Sequence, residues 1–263
     1  MEAGVKPDES ARGKALRKAI NYVKGAADEK GMFGKQLYSH AYALRFLAEL
    51  KRRVPDEDVD GLVTSAVKLF VDSQSDHPTL SASSPAGGWR YSPNSMDMDT
   101  SVTSCASLAL LSAKQAGFDV PDRTLQRATN YLKQMQRNDG GFYYTSAGPT
   151  GNASPRSAAA MSVLLRTRSL DVEHKRLGLK YLSSTPPDEK THFYYAQYYL
   201  SEALLFDAPA FAKWYGNIKE ALLKKQLSEG QWEHANGAEY ATAKACIVLL
   251  SQLRATAESQ PQD

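Results

Sequence analysis

The sequence predicts an all-helical protein built from about five helical hairpins. Two observations support this fold class. A short motif of Gln, Gly and an aromatic residue recurs along the chain, and each copy separates two stretches with the apolar spacing of an α-helix. No stretch shows the sustained alternation of apolar and polar residues that is typical of a strand, so no sheet is expected beyond a stray two-residue ladder.

The repeated motif has a Gln followed six residues later by an aromatic residue, with Gly between them. Its copies lie at residues 136–142 and 226–232, at Gln74 with Gly87, Gly88 and Trp89, and in a weaker form at Gly31 to Phe33. In the Gln74 copy, a Ser- and Pro-rich insertion at residues 75–85 interrupts the spacing. A period near 50 residues is typical of repeat proteins, in which each unit buries its apolar face against its neighbours.

Two kinds of helix alternate around these motifs. The helix before each motif is amphipathic, as the stripe of Leu125, Ala128, Leu132 and Met135 shows. Such outer helices are predicted near residues 13–27, 58–74, 122–136, 171–183 and 209–227. The helix after each motif is more apolar and richer in small residues, which predicts an inner position, near residues 37–53, 99–115, 155–168, 191–206 and 238–254. Ser154 and Pro155 are typical of a helix start.

Composition sets the remaining bounds. The chain has 263 residues, of which 42% are hydrophobic, and a net charge of +3, so nothing favours a nucleic-acid partner. Two cysteines do not form a disulfide framework, and no apolar run approaches the roughly 20 residues of a membrane span. We expect polar tails at residues 1–12 and 255–263 around one domain at 13–254. We expect a cytoplasmic location for the sequence as it stands, or export if a leader was removed.

The motif resembles the glutamine–tryptophan repeat of squalene and hopene cyclases, and longer stretches are similar to the bacterial prenyltransferase/squalene-oxidase-repeat proteins. These stretches are Tyr38 to Ala41, Gly87 to Tyr91, Asp97 to Thr103, Asp139 to Phe142, His192 to Tyr195 and Glu239 to Thr242. The resemblance implies an α/α toroid of inner and outer helices, in the superfamily of terpenoid cyclases and protein prenyltransferases. The superfamily also includes thioester domains, but the Gly-Cys-Gly-Glu-Gln sequence is absent.

Asp97 and Asp99 are the candidate catalytic residues, at the predicted start of the second inner helix. They resemble the Asp-x-Asp-Asp motif of class II terpene cyclases, whose middle Asp protonates an alkene or epoxide. Aligned on the first Asp, Asp99 is the acid and Thr100 replaces the last carboxylate; aligned on the later Asp-Thr pair, Met98 takes the acid position. The alternative is structural, with Asp99 as the N-cap of the helix and Asp97 in solvent.

Aromatic residues and histidines near the starts of inner helices are candidates for lining a ligand cavity. Aromatic rings attract cations, and in the cyclases they stabilise carbocations. The residues are Tyr38, His40, Tyr42, Trp89, His192, Tyr194, Tyr195, Tyr198, Glu239 and Tyr240. Burial as ordinary core residues is the alternative for each, and for the motif aromatics Trp89, Phe142 and Trp232 the alternative is to fill the seam between hairpins.

No metal or cofactor is expected. Protein prenyltransferases bind zinc through an Asp-x-Cys pair and a distant His, but Cys105 lies six residues after Asp99, and Ala241 stands where that His would precede Thr242. A zinc site from Asp97, Asp99, Cys105 and His40 or His192 is the weaker alternative. Purified protein should therefore contain less than about one-tenth of an equivalent of zinc.

Three functions are compatible with these features, and the sequence leaves open whether the protein is an enzyme. The first is a cyclase-like isomerase that acts on an isoprenoid, with Asp99 as the acid. The second is a toroid that binds an apolar ligand or a protein without chemistry. The third is a prenyltransferase-like subunit that needs a helical protein partner.

Overall fold

The computed structural model describes residues 4–76, 86–148, 152–189 and 192–258, with side chains as far as residue 255. Most of the predicted insertion, residues 77–85, and the ends of both predicted tails lie outside these ranges. The described residues form ten α-helices: α1 Ala11–Lys24, α2 Leu37–Arg53, α3 Asp60–Asp72, α4 Thr100–Gln115, α5 Asp122–Gln134, α6 Ser154–Arg166, α7 Val172–Ser184, α8 Phe193–Ala203, α9 Ala208–Lys225 and α10 Ala238–Glu258. Within them, β structure is limited to isolated bridges, which confirms the all-helical prediction.

Each predicted helix is present, with ends within a few residues of the expected positions. One difference is in α8, which ends at Ala203 and continues as one turn of 3-10 helix, Leu204–Phe206. That turn stops because Asp207 begins α9, where its side chain accepts a hydrogen bond from the Ala210 amide at 3.1 Å. α10 continues to Glu258, beyond the predicted residue 254.

The chain divides into two compact units. The first unit comprises Ala3–Met135 and Tyr144–Gly148, and the second comprises Gln136–Tyr143 and Pro149–Asp263. In the first unit α2 packs against α4, and α3 and α5 flank that pair. In the second unit α8 packs against both α6 and α10.

Three of the inner helices, α4, α6 and α8, are buried on nearly every side, as their composition predicts. α6 buries twelve of its 13 residues, whereas the outer helix α7 buries only Gly178 and Leu182. Six of the 13 residues of α6 are Ser or Ala, and these short side chains let neighbouring helices approach closely. A helix that is covered all round gains little from an amphipathic stripe, which explains why the periodic signal is stronger in the outer helices.

The motif glutamines hold the turn between each outer and inner helix. The Gln74 amide nitrogen donates to the carbonyl oxygens of Gly87, at 2.6 Å, and Thr124, at 2.9 Å. The Gln136 amide nitrogen donates to the carbonyl oxygens of Gly140 and His174. Thr124 and His174 lie in the first turns of α5 and α7, so each glutamine ties its own turn to the next outer helix.

The motif aromatics connect each turn to the inner helix that follows it. Their backbone N–H groups donate to a side chain in the first turns of the following inner helix: Phe33 to His40, Trp89 to Thr103, Phe142 to Ser157 and Trp232 to Thr242. The indole N–H groups of Trp89 and Trp232 donate to the carbonyl oxygens of Phe70 and Leu222, near the ends of α3 and α9. These bonds and their burial support the structural role for the aromatic residues.

At two motif positions the next outer helix lies so close to the backbone that only glycine fits. Gly87 has a φ of +111°, and a Cβ there would lie 2.7 Å from the Cβ of Arg127 on α5. Gly140 has a φ of +90°, and a Cβ there would overlap the carbonyl oxygen of Leu177 on α7. Since other residues rarely adopt this backbone region, only Gly satisfies both demands.

Gln74→Ala is expected to lower the free energy of unfolding by about 1–3 kcal/mol, because it removes two buried hydrogen bonds and leaves the Gly87 carbonyl oxygen without the Gln74 donor. Gln226→Ala is the matched control. Gln226 is exposed and its amide donates only to the Gly230 carbonyl among the described bonds, so its removal should cost less than about 0.5 kcal/mol. Urea denaturation of both variants measures the difference, and equal losses would contradict the role assigned to the buried glutamine.

Candidate functional site

Asp99 begins α4 and is held by backbone bonds on both sides. Its N–H donates to the Trp89 carbonyl oxygen, and its side-chain Oδ1 accepts a 2.8 Å hydrogen bond from the Val102 N–H. Its backbone is extended, with φ −136° and ψ 156°, as an N-cap residue requires. Asp99 therefore does cap α4, as the structural alternative predicts.

The second carboxylate oxygen of Asp99 has a different environment. Asp99 is 0% exposed, and its Oδ2 is buried without a hydrogen-bond partner in the described structure. The nearest charge is the Nε of Arg90, at 3.5 Å, close enough for an ion pair but without hydrogen-bond geometry. A cap needs only one oxygen, so the cap role leaves Oδ2 unexplained.

Burial raises the pKa of Asp99 to about 6. The hydrogen bond from the Val102 amide and the positive charge of Arg90 act in the opposite direction, and the negative charge of Asp97 adds to the increase. The sequence left open whether burial or the helix N-terminus dominates; in the structure burial dominates. Near pH 6 the carboxyl group is then about half protonated, so it can donate a proton.

The residues on either side of Asp99 differ in burial and in their contacts. Met98 is buried, and its sulfur accepts a 3.1 Å contact from the Gly88 N–H, so it fills a core position. Thr100 is also buried, and its N–H donates to the Tyr144 carbonyl oxygen. Asp97 is exposed and forms an ion pair with Arg90. Of the two predicted catalytic residues, only Asp99 is buried and has a raised pKa.

Tyr131 of α5 adds a second buried polar group near Asp99. It is 1% exposed, and burial and the charge of Asp99 both raise the pKa of its phenol. Tyr144 approaches from the segment after the next motif, where its hydroxyl forms a hydrogen bond with the Tyr91 hydroxyl. The pKa of Tyr144 is raised as well, first by burial. Both phenols are therefore neutral near pH 7.

The other predicted site residues of the first unit are tied into the core. His40 is 0% exposed; its Nδ1 accepts from the Phe33 N–H and its Nε2 lies 3.0 Å from the Ala66 carbonyl oxygen. This arrangement requires the neutral tautomer with the proton on Nε2, and burial lowers the pKa of the imidazole accordingly. Trp89 is 1% exposed. Tyr38 and Tyr42 are half-buried, and the Tyr38 ring lies 6.1 Å from that of Tyr91.

The second unit holds the remaining candidates in an aromatic cluster along α8. The ring of Tyr194 contacts Phe193 and His234 edge-on, and His234 in turn contacts Tyr240. Tyr195 and Tyr198 both contact Tyr199. His192 and Glu239 are exposed at the starts of α8 and α10. His192 has a φ of +56°, a region that non-glycine residues rarely adopt.

Lys244 limits what this cluster can offer to a ligand. Its ammonium lies 3.4 Å from the centre of the Tyr198 ring, and the residue is 6% exposed. One face of Tyr198 is therefore already occupied by a cation from the chain itself. Sequence reasoning missed Lys244, Arg90, Tyr131, Tyr144 and His234, although Arg90 belongs to one of the family-like stretches.

Other site types find no support in the part of the chain that the structure describes. Its His, Cys, Asp and Glu side chains form no group of three or more with metal-binding proximity. A shallow cleft of about 350 Å³ in the first unit is lined by residues of α3 and two loops, including Lys30, Lys68 and Asn94, and by none of the predicted site residues. Among the described helices, none is both long and apolar enough to cross a membrane.

No protein-family model matches the sequence, and no curated protein matches it. Solved structures do. The type II terpene cyclase MstE from Scytonema, as an Asp-to-Asn variant with its substrate geranylgeranyl dihydroxybenzoate, aligns over 95% of this chain and 78% of its own, with TM-score 0.60 and 16% identity. Its apo form aligns over 92% and 75%, with TM-score 0.62 and 17% identity.

A different kind of protein shares the same fold. Salmonella alpha-2-macroglobulin reacted with methylamine aligns over 98% of this chain but only 18% of its own, with TM-score 0.54 and 16% identity. At such identities the similarity shows the fold and leaves function to the site. The chain has the all-α toroid fold of the type II terpene cyclases.

Proposed function

We propose that the protein binds an isoprenoid chain and isomerises or cyclises it by proton transfer from Asp99. One observation supports this most strongly: the Oδ2 of Asp99 is fully buried, has no hydrogen-bond partner in the described structure, and belongs to a carboxyl group with a pKa of about 6. A burial cost of this kind is typical of functional sites, because a purely structural cap gains nothing from it.

The proposed reaction is neutral in redox terms. The carboxyl O–H bond of Asp99 breaks, and the π electrons of a substrate double bond form a new C–H bond with that proton. A tertiary carbocation and the Asp99 carboxylate result. The Val102 N–H, the positive end of α4 and Arg90 stabilise the carboxylate. Internal double bonds can then attack the cation, and loss of a proton to water ends the reaction.

The comparison structures support the class of ligand. Variants of MstE, which has this fold, have been solved in complex with the substrate geranylgeranyl dihydroxybenzoate and with the product merosterolic acid A. By analogy we propose a C20-type isoprenoid as the first ligand to test. Within the second unit, Tyr194 and Tyr240 are better candidates than Tyr198 for contact with an apolar ligand, because Lys244 already lies on the Tyr198 ring.

The second candidate is a toroid that binds an apolar ligand without chemistry. The cap bond from Asp99 to Val102 and the replacement of the last motif carboxylate by Thr100 favour it. In that case Asp99 stabilises α4, and the aromatic clusters contact the ligand only through dispersion.

Both candidates predict that the purified protein retains an apolar molecule or binds an added one. We expect native mass spectrometry, followed by organic extraction, to find an isoprenoid-class lipid or a one-to-one complex with added geranylgeraniol. Tyr194→Ala should weaken that complex at least about tenfold, because it removes a large aromatic contact. Tyr22→Ala, a change at an exposed position on α1, is the matched control. Absence of any complex would contradict both candidates.

A further inference from the structure

We infer that Arg90 is a positioning residue that sets the charge of Asp99, and that Asp97 holds Arg90 in place. Arg90 lies in the segment between the second motif and α4, nine residues before Asp99. The inference concerns regulation of the proposed acid, and its catalytic consequence rests on the proposed function. The control of the Asp99 carboxyl group by the Arg90 guanidinium does not depend on the proposed function.

The guanidinium of Arg90 is fixed from three directions. Its carbon lies 5.3 Å from the centre of the Tyr91 ring and 5.6 Å from that of Tyr144. The hydroxyls of these two tyrosines are hydrogen-bonded to each other, which holds the rings together. Nη1 donates to a carboxylate oxygen of Asp97. In this position, the Nε of Arg90 lies 3.5 Å from the buried Oδ2 of Asp99.

Arg90 and Asp97 are the charged groups that act on Asp99 in the described structure. Arg90 lowers the pKa of Asp99 and Asp97 raises it. Tyr131 and Tyr144 also face this carboxyl group, but their raised pKa values keep them neutral. Val102 and Ser101 contribute backbone N–H groups, which are fixed dipoles. Among the charges of the described residues, those of Arg90 and Asp97 therefore act most strongly on Asp99.

Asp97 acts on Asp99 in two ways, and both raise the pKa of Asp99. Its own negative charge raises the pKa of Asp99, and its ion pair engages Arg90, which would otherwise be free to bind Asp99 more closely. Asp97 is 57% exposed at its side chain, whereas Asp99 is completely buried. The first Asp of the motif is therefore a positioning residue, and the second is the proton donor in the proposed reaction.

Titration of the Asp99 carboxyl carbon, by NMR of protein with ¹³C-labelled aspartate, tests this inference without any ligand. The Asp99 signal is assigned from its loss in Asp99→Asn. In Arg90→Gln the pKa of Asp99 should rise by at least about one pH unit, because the opposite charge is gone. In Asp97→Asn it should fall below 6. Arg90→Lys keeps the charge and should restore most of the wild-type value.

Arg127→Gln is the matched control. Arg127 is as exposed as Arg90, 25% against 24% at the side chain, and also pairs with an aspartate, Asp76. Its loss should leave the Asp99 titration unchanged. An unchanged pKa of Asp99 in folded Arg90→Gln, or a rise in Asp97→Asn, would overturn the inference. If Arg90→Gln does not fold, the Asp99 titrations of Asp97→Asn and Arg90→Lys test the inference in its place. Shifted titrations without any isoprenoid turnover would reject the proposed function and retain the inference.

Discussion

Asp99→Asn is expected to make the folded protein more stable at pH 8, and to change its stability little at pH 4. In the folded state the pKa of Asp99 is raised to about 6 from the 3.8 of the unfolded chain. The native state therefore binds more protons than the unfolded state between these values, so the free energy of unfolding falls as pH rises through this window. Ionising the buried carboxyl at pH 8 costs up to about 3 kcal/mol.

Asn removes this cost because it mimics the neutral carboxyl group and is a nearly equal N-cap. Its carbonyl oxygen can still accept from Val102, while its NH₂ group would face Arg90 and reduce the gain. Denaturation at pH 4, 6 and 8 measures the difference between the variant and the wild type. An unchanged stability at every pH would show that Asp99 is an ordinary cap, because Asn caps a helix nearly as well as Asp.

Asp171 is the matched control for that experiment. It is the N-cap of α7 and accepts from the His174 N–H, but it is exposed. These bonds lower the pKa of Asp171, the opposite of the shift at Asp99. Its contribution is present above the unfolded pKa and lost as pH falls, so Asp171→Asn should bring no gain at pH 8. A gain in stability at pH 8 for Asp99→Asn and none for Asp171→Asn would show that the gain comes from the burial of Asp99 and not from its role as a cap.

The largest expected effect is on turnover. If Asp99 starts the reaction, Asp99→Asn should lower the rate with an isoprenoid substrate by at least about 10²–10⁴-fold, since Asn has no proton to donate. Folding should remain intact, as the stability prediction requires. Wild-type activity should also fall as pH rises above 6, where Asp99 ionises. Unchanged turnover in the Asn variant would assign the chemistry to another group.

The order and kind of the helices could be predicted because they depend on local composition. An amphipathic stripe marks the outer helices, and small apolar residues mark the inner ones. The bond between each motif aromatic and the next inner helix could not be predicted in the same way. Its partners lie 7, 14, 15 and 10 residues later, at His40, Thr103, Ser157 and Thr242. Variable loop lengths hide this equivalence from any fixed period.

The candidate site was only partly visible in the sequence. Asp99 could be found because its motif is local. Its control by Arg90 depends on a loop that folds back, and Tyr131 and Tyr144 come from 32 and 45 residues further along the chain. Asp97 was predicted to share the catalytic role; it is exposed and forms an ion pair with Arg90, and we propose that it positions Arg90 instead. Burial decides between two neighbouring carboxylates, and burial is set by tertiary packing.

Reaction in D₂O tests the central claim most directly. Protein and an all-trans C20 isoprenoid are incubated in D₂O, and the product is analysed by mass spectrometry. Because Asp99 exchanges its carboxyl proton with solvent, each product molecule should contain one deuterium bound to carbon at the position first protonated. Asp99→Asn should form no such product. A product without carbon-bound deuterium, or a deuterated product formed equally well by the Asn variant, would contradict proton transfer from Asp99.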